Sequence, residues 1–229
     1  MKKLIVVAAV IVVFASTVSA QEKLSFGVKG GMNLAKISNM DVDFQSEDYY
    51  FFGDASTNFD TKIRPAFYAG AFIEYKFNDL LAISPEFVIS SQGVKGDLKA
   101  KFDLWGESYD VKWKATQSLT YLNIPIMAKI YVAEAFSIDV GPQFGFLMSA
   151  KAKTEDESGL GDIEMEEDNG KEDFNTFDMA IGIGATYNIG HFMIQGRYNL
   201  GLTDIVKDKP SDWKAMKNNV FQIGVGYRF

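Results

Sequence analysis

The stretch from residue 221 to residue 229 alternates between apolar side chains and polar or small ones at every position. Phe221, Ile223, Val225, Tyr227 and Phe229 share one side of the alternation, and Gln222, Gly224, Gly226 and Arg228 share the other. Successive side chains of a β-strand point to opposite faces, so this stretch predicts a strand with one wholly apolar face. We expect no domain to follow Phe229 and cover that face. Such a strand suits a transmembrane barrel, whose last strand closes onto its first and contacts lipid.

The same period of two recurs in seven further segments. The eight predicted strands span residues 24–34, 66–77, 80–91, 118–132, 136–150, 174–189, 191–203 and 219–229. Each is long enough to cross a bilayer as a tilted strand, which takes about 9–11 residues. The pattern therefore predicts an all-β fold, an eight-stranded antiparallel up-and-down transmembrane β-barrel.

The connections between these strands alternate in length. Short turns are predicted at Asn78-Asp79, at residues 133–135 and at Gly190. Long polar loops fill the remaining connections, at residues 35–65, 92–117, 151–173 and 204–218. Outer-membrane barrels have short turns on the periplasmic side and long loops outside. An even number of strands then places both termini on the periplasmic side.

The two faces of the predicted strands differ in chemistry. In the segment 66–77, Phe67 and Ile73 lie on one face, while Glu74 and Lys76 lie on the other. Aromatic residues of the apolar face concentrate near strand ends, where membrane barrels carry interfacial girdles. These residues are Tyr75, Phe77, Phe136, Tyr187, Phe192, Tyr227 and Phe229. The alternative is a soluble lipocalin-like barrel with its apolar set inside. The polar face mixes glycines with charged residues, as a crowded polar lumen requires, whereas a soluble outer surface would more often carry continuous Lys and Glu. This mixture favours the membrane barrel.

The amino-terminal segment has the features of a secretory signal peptide. Lys2 and Lys3 precede an apolar core at residues 4–14, and Val18-Ser19-Ala20 supplies a small-x-small cleavage pattern. We expect cleavage between Ala20 and Gln21, which leaves residues 21–229 as one barrel domain. The alternative, an uncleaved transmembrane helix, would need a span of roughly 20 apolar residues, and this core is shorter.

Composition excludes several classes of protein. The chain has no cysteine, which rules out disulfides, lipoprotein attachment and thiolate metal sites. Its formal net charge is -7, and loss of Lys2 and Lys3 with the signal peptide makes it -9. Nucleic-acid binding requires a basic surface, so it is not predicted.

Nine charged side chains on the polar face are expected to form a network in the lumen. They are Lys29, Glu74, Lys76, Glu86, Lys129, Asp139, Asp178, Arg197 and Arg228. The interior of an eight-stranded barrel is just wide enough for side chains to fill it. Because an isolated buried ion costs several kcal/mol, we expect these charges to pair and close the lumen. The alternative, a selective pore, would be expected to have a lining of one sign or a wider barrel.

A catalytic role is not predicted. A hydrolase that acts on lipid A would need a histidine beside a serine at the outer rim. The single histidine, His191, instead follows Gly190 in a predicted periplasmic turn. The sequence has no G-x-S-x-G segment and no phosphate-binding glycine loop. We expect neither enzymatic activity nor a cofactor.

The long loops carry acidic and aromatic residues. The loop 151–173 has ten acidic residues, but it lacks the D-x-D-x-D-G spacing of a calcium loop, and charge runs are usually solvated. No metal site is therefore predicted. Trp105, Tyr109 and Trp113 alternate in the loop 92–117, which suggests a β-ribbon above the membrane. Exposed aromatic residues there and at 49–52 suit partner binding, packing on one another, or anchoring at the interface.

Four segments resemble the PorT-like outer-membrane β-barrel family. They are residues 27–34 (GVKGGMNL), 121–126 (YLNIPI), 197–202 (RYNLGL) and 226–229 (GYRF). The resemblance covers essentially the whole mature chain. It implies fold and location but no activity, because the family shares no catalytic motif. The member that gives the family its name is associated with protein secretion across the outer membrane, and the resemblance implies no more than that.

The sequence predicts an integral outer-membrane barrel that acts as a structural or surface-interaction protein through its loops. A narrow channel and an accessory barrel of a secretion system are the alternatives. The expected partners are outer-membrane lipid and lipopolysaccharide, the barrel-assembly machinery, and a protein at the surface or in a secretion system. We expect a monomer. Phe221, Tyr227 and Phe229 resemble the carboxy-terminal assembly signal of bacterial outer-membrane barrels, whose final aromatic residue helps the insertion machinery recognise them.

Overall fold

The computed structural model describes residues 23–40, 42–46, 55–104, 107–156, 164–167, 170–208 and 214–229. Its strands are β1 (Leu24–Ile37), β2 (Val42–Ser46), β3 (Ala55–Lys62), β4 (Arg64–Lys76), β5 (Leu81–Leu104), β6 (Glu107–Ala133), β7 (Phe136–Asp156), β8 (Glu164–Glu167), β9 (Phe177–Ile189), β10 (Phe192–Gly201) and β11 (Asn218–Arg228). A 3₁₀ helix spans Gly170–Asp173. Within these ranges, no helix has the length and apolar character needed to cross a membrane. The predicted signal peptide, the aromatic stretch 49–52, Trp105, and residues 157–163 and 168–169 of the acidic loop lie outside the described residues.

Eight of the strands form a closed antiparallel ring. The order is β1, β4, β5, β6, β7, β9, β10 and β11, and β11 pairs back onto β1. The closing pair runs from Gly27 opposite Arg228 to Ile37 opposite Asn218. Gly190 takes a positive φ of 60° in the β9–β10 turn, a conformation that glycine adopts without strain. The eight-stranded up-and-down barrel predicted from the alternation is confirmed.

The ring is polar inside and apolar outside. Phe67 and Val225 are 76% and 63% exposed, whereas Glu74 and Asp139 are 0% exposed. A soluble lipocalin-like barrel would have the reverse arrangement. The exposed apolar band therefore requires lipid around it, because water would solvate so much contiguous apolar surface poorly.

Aromatic side chains border this band at both ends. Near the short turns, Tyr227 contacts Phe229 and Phe192, with ring centroids 5.5 Å and 5.2 Å apart. At the opposite end, Phe177 contacts Phe146 at 5.7 Å. Aromatic rings favour the interface between hydrocarbon and headgroups, so the two groups mark the edges of the membrane-spanning part.

Three of the long connections between the ring strands contain strands of their own. β5 and β6 continue past the ring as a paired ribbon from Gln92 opposite Leu119 to Leu104 opposite Glu107. This ribbon was suggested by the alternation around Trp113, and it extends about 40 Å at roughly 3.3 Å per residue. The loop 35–65 contains the β2–β3 hairpin. The loop 151–173 contains the last residues of β7 and the whole of β8.

These additional strands join into one open sheet beyond the ring, which we call the surface sheet. Its strand order is β2, β3, β5, β6, β7 and β8, and it comprises β2, β3, β8 and the outer parts of the other three. A β-bulge adjusts β7 where the sheet leaves the ring, since Thr120 pairs with Ser149 but Tyr121 pairs with Leu147. The extra residue, Met148, turns Ala150 inward and leaves Lys151 exposed.

Closure of the ring depends on glycines where β1 and β11 meet. A methyl group at Gly224 would lie 2.6 Å from the Gly30 carbonyl oxygen and would overlap the Tyr68 hydroxyl. We expect Gly224→Ala to lower the free energy of unfolding by about 1–3 kcal/mol, the usual cost of overpacking. Gly196→Ala is the matched control, because nothing lies within 4 Å of its added methyl group. Urea unfolding of both variants in detergent micelles measures the difference. Equal stability of the two variants would contradict a tightly packed closure.

Candidate functional site

The strongest ion pairs of the lumen surround Glu86. Arg197, on β10, reaches across to this β5 carboxylate and donates two hydrogen bonds to its two oxygens, each 2.8 Å long. Lys29, on β1, donates a third at 2.6 Å. Arg197 is only 1% exposed, so three non-adjacent strands meet through groups removed from water. Arginine suits this position because its planar guanidinium binds both oxygens of a carboxylate at once.

Hydrogen bonds extend the Glu86 cluster to a second carboxylate. Lys29 donates to the Gln195 side-chain oxygen at 3.0 Å, and the Gln195 amide donates to Asp139 at 3.2 Å. Ser137 and Thr186 also donate to Asp139, at 2.7 Å and 2.6 Å. The four charges of Lys29, Arg197, Glu86 and Asp139 sum to zero. A buried group of charges without net charge avoids much of the desolvation cost that an unpaired ion would carry.

A separate cluster surrounds Glu74 near the short turns. Lys129 donates to Glu74 at 2.9 Å, the Tyr131 hydroxyl donates at 2.6 Å, and Arg228 lies 3.6 Å away. Lys76 lies over the Tyr131 ring, 4.5 Å from its centroid. The nine charges predicted as one lumen network are thus divided: Lys76 makes a cation–π contact, and Asp178 belongs to neither cluster.

Neutral side chains occupy the lumen on the outer side of Glu86. Asn33 donates to Ser90 at 2.9 Å and accepts from Gln222 at 2.9 Å, and Asn199 donates to Gln222 at 3.0 Å. Gln92 accepts a short hydrogen bond from Asn218 and donates to Ser90 at 3.0 Å. This carboxamide layer connects four strands, β1, β5, β10 and β11, across the lumen. It was not predicted, because the polar alternation identifies inward positions but not which amides meet.

An apolar lid covers the carboxamide layer at the outer end of the ring. Its buried residues are Ile37, Val94, Leu119, Tyr121, Leu147, Ala150, Phe174, Ile205 and Met216. They come from four strands (β1, β5, β6 and β7), from the segment before β9 and from the segment between β10 and β11. This lid was not predicted, although the sequence contains a signal for it. The inward positions of β1, β5, β6 and β7 carry large apolar side chains at Ile37, Val94, Leu119 and Leu147.

The remaining residues singled out from the sequence lie at the two ends. His191 is exposed in the β9–β10 turn, where its Nδ1 lies 3.0 Å from the Arg228 carbonyl oxygen and its ring stacks on Tyr227. Phe221, Tyr227 and Phe229 are 40%, 37% and 48% exposed on the apolar outer face. None of the three points into the lumen. On the surface sheet, a hydrogen bond from Lys153 lowers the pKa of the Glu155 carboxyl.

The ring with its inverted polarity defines an integral membrane β-barrel. Residues 14–207 match the family model described as outer membrane protein beta-barrel domain. The chain therefore belongs to this family, and its place is the bacterial outer membrane. In barrels of this kind the short turns face the periplasm, so the apolar lid and the surface sheet are at the extracellular end.

Several solved outer-membrane proteins are similar to this chain. The attachment invasion locus protein Ail of Yersinia pestis, solved with the heparin analogue sucrose octasulfate, is 15% identical with a TM-score of 0.44; the match covers 90% of this chain and 99% of Ail. Neisserial surface protein A is 13% identical with a TM-score of 0.42, over 91% and 100% of the two chains. OprG of Pseudomonas aeruginosa is 13% identical with a TM-score of 0.38, over 90% and 95%. A comparison with curated proteins finds no match.

Removal of Arg197 tests whether the Glu86 cluster stabilises the barrel. Arg197→Ala leaves the buried Glu86 carboxylate with Lys29 as its remaining cation, and we expect the free energy of unfolding to fall by about 3–5 kcal/mol. Lys62→Ala is the control, because it breaks the Lys62–Asp97 pair, in which the lysine side chain is 54% exposed. That change should cost no more than about 1 kcal/mol. Denaturant unfolding in micelles gives both values, and a loss for Arg197→Ala as small as the control would refute the role assigned to the cluster.

Proposed function

We propose that this protein is an outer-membrane barrel with a closed lumen that acts through its extracellular surface sheet. The observation that supports this proposal is the succession of buried side-chain groups along the lumen. The Glu74 cluster, the Glu86 cluster, the carboxamide layer and the apolar lid follow one another from the periplasmic to the extracellular end. An eight-stranded ring encloses only enough space for such side chains.

Closure of the lumen leaves the extracellular part as the place for interaction. The surface sheet extends about 40 Å beyond the ring at roughly 3.3 Å per residue. Strand pairs hold it rigidly, whereas most barrels of this size end in loops. A rigid sheet presents its residues in a fixed arrangement, which lowers the entropy cost of binding a partner.

The two faces of the surface sheet differ, which gives a partner two chemically distinct surfaces. The register places Val94, Ala115 and Ala152 on the face that continues the lumen wall. Lys95, Thr116 and Lys153 lie in one row on the opposite face. The lumen-side face continues the apolar lid, and the opposite face is solvated.

The route to the membrane follows from the residues at the two ends of the chain. We propose that residues 1–20 form a signal peptide that is cleaved before Gln21, and that Phe229 with Tyr227 and Phe221 is recognised by the barrel-assembly machinery. The exposed position of these three aromatic side chains on the lipid face supports a role in insertion. The protein is proposed to be a monomer, because the ring needs no second copy to satisfy its strand edges.

A second candidate function is an accessory barrel of a secretion system, which the resemblance to the PorT-like family suggests. Such a barrel would contact other components at the periplasmic turns as well as outside. The turns are short, and among the described residues they present few side chains: Asn78, Asp79, Glu134 and His191. The surface sheet is the larger surface and makes extracellular interaction the first choice.

Site-specific photo-crosslinking in intact cells separates the two functions. A photoreactive residue at Thr116 would sample the surface sheet, and one at Glu134 would sample the periplasmic β6–β7 turn, which is exposed. We expect a defined protein or glycan adduct from Thr116 and none from Glu134. Adducts from Glu134 alone would favour the secretion component. The absence of any adduct from Thr116 and neighbouring surface-sheet positions would contradict a surface-interaction role.

A further inference from the structure

A groove of about 500 Å³ lies on the outer face of the barrel, where β1 pairs with β11. Three residues line its apolar half and three its polar half: Leu34, Tyr198 and Phe221, and Lys36, Asn39 and Asn219. The strand register separates the two halves. Leu34, Phe221 and Tyr198 form one row across three strands, and Lys36 stands beside Asn219 in the next outward row. The groove therefore offers an apolar surface with a cation at one end.

This groove lies at the extracellular edge of the membrane-spanning part. On β11 the outward side chains are apolar from Val225 to Phe221 and become polar at Asn219. On β1, Lys36 is the first charged residue on the outward side. Apolar side chains face hydrocarbon and charged ones face headgroups, so the boundary between the two runs through the groove.

Two lysines at the polar half have no ion-pair partner among the described residues. Lys36 is exposed, and Lys217 is the next outward residue beyond Asn219, because Met216 and Asn218 on either side of it are buried in the lumen. Neither lysine forms a salt bridge with an acidic residue of the described ranges. The described residues that line the groove include no acid. The groove therefore carries unbalanced positive charge, although the chain as a whole has a formal net charge of -7.

Hydrogen bonds hold the polar half in a fixed shape. The Asn39 side-chain amide donates to the Ala215 carbonyl oxygen at 2.8 Å, and the Ser38 N–H donates to the Lys217 carbonyl oxygen at 2.9 Å. These bonds join the connection after β1 to the segment before β11. The Asn219 side-chain oxygen accepts from the Gly201 N–H at 3.1 Å, which leaves the Asn219 amide N–H groups to donate. A site that is already shaped loses less entropy when it binds a ligand.

We propose that this groove binds one anionic, phosphorylated lipid of the outer leaflet. Its phosphate is neutralised by Lys36 and Lys217 and accepts a hydrogen bond from the Asn219 amide, and one acyl chain lies along the apolar half. A free phosphate would use the polar half alone, and a lipid without phosphate would leave both lysines unneutralised. The bound lipid fixes the depth of β1 and β11 in the membrane. This role goes beyond the proposed surface interaction and does not depend on it.

Native mass spectrometry of the folded protein, released from detergent micelles, tests the groove. The protein is titrated with bisphosphorylated lipid A and, separately, with the same lipid after hydrolysis of its phosphates. We expect one bound lipid A per protein and about 25-fold weaker binding of the dephosphorylated lipid, because each lysine near an anionic lipid surface contributes about fivefold. Equal binding of the two lipids, or no bound lipid A, would overturn the proposal. Displacement of lipid A by inorganic phosphate at the same concentration would also overturn it, since the site would then bind a bare anion.

Charge reversal at Lys36 locates the bound lipid. Lys36→Glu should weaken lipid A binding about 25-fold, because it removes one attraction and adds one repulsion. Lys112→Glu is the matched control, since it changes the net charge equally at an exposed lysine of the surface sheet. Lys112 pairs with Lys99, which lies seven residues beyond Gln92. That distance is roughly 23 Å at 3.3 Å per residue, well beyond the Debye length of about 8 Å, so the control should bind within about twofold of wild type. Equal losses in the two variants would overturn the site, because binding would then depend on net charge alone.

Discussion

Every backbone N–H and C=O group that a strand carries into the hydrocarbon must find a partner in another strand, because lipid offers none. In this chain that requirement is met by the pairing of β1 with β11, eleven residue pairs from Gly27–Arg228 to Ile37–Asn218. The pairing turns an open sheet into a ring without edges. The glycines at 31 and 224 permit the two strands to approach while Tyr68 fills the space between them on the lumen side.

Ring closure determines the chemistry of the interior. Once the apolar side chains face lipid, the alternate positions must face each other across a narrow lumen. Charges placed there must be paired, and the Glu86 cluster pairs them by joining β1, β5 and β10, which are not neighbours in the ring. The cluster therefore links strands across the lumen, in addition to the backbone hydrogen bonds between neighbouring strands. Towards the extracellular end the interior changes from ions to carboxamides and then to the apolar lid.

Much of the fold could be predicted because the membrane imposes a simple pattern. The alternation of Phe67 and Ile73 with Glu74 identified both faces of β4, and the turns at Asn78-Asp79 and Gly190 fixed the strand order. The prediction was incomplete in two places: where an extra residue interrupts the period-2 alternation, and where strands continue beyond the membrane. The bulge at Met148 shifts the inward phase of β7 by one residue, and no local signal marks it. The ribbon of β5 and β6 was suggested by the alternation of Trp105, Tyr109 and Trp113, but its length was not predicted, because its residues are more polar than those of a membrane strand.

The lumen was predicted at the level of composition only. The sequence identified Glu86, Arg197 and Lys29 as inward charges, but which charges meet depends on strand tilt and side-chain reach. Lys76 lies over the Tyr131 ring instead of facing a carboxylate, and Asp178 bonds to Thr203. Residues from connections, such as Ile205 and Met216, complete the apolar lid, and a strand pattern contains no information about them.

We propose that this lumen is closed from end to end. Planar-bilayer recording of the purified, folded wild-type protein tests it most directly, since a continuous water path would carry ions under an applied voltage. We expect no steady conductance above that of the bare bilayer at either polarity. Large, ohmic and long-lived openings from pure folded protein would contradict it and would identify the barrel as a channel.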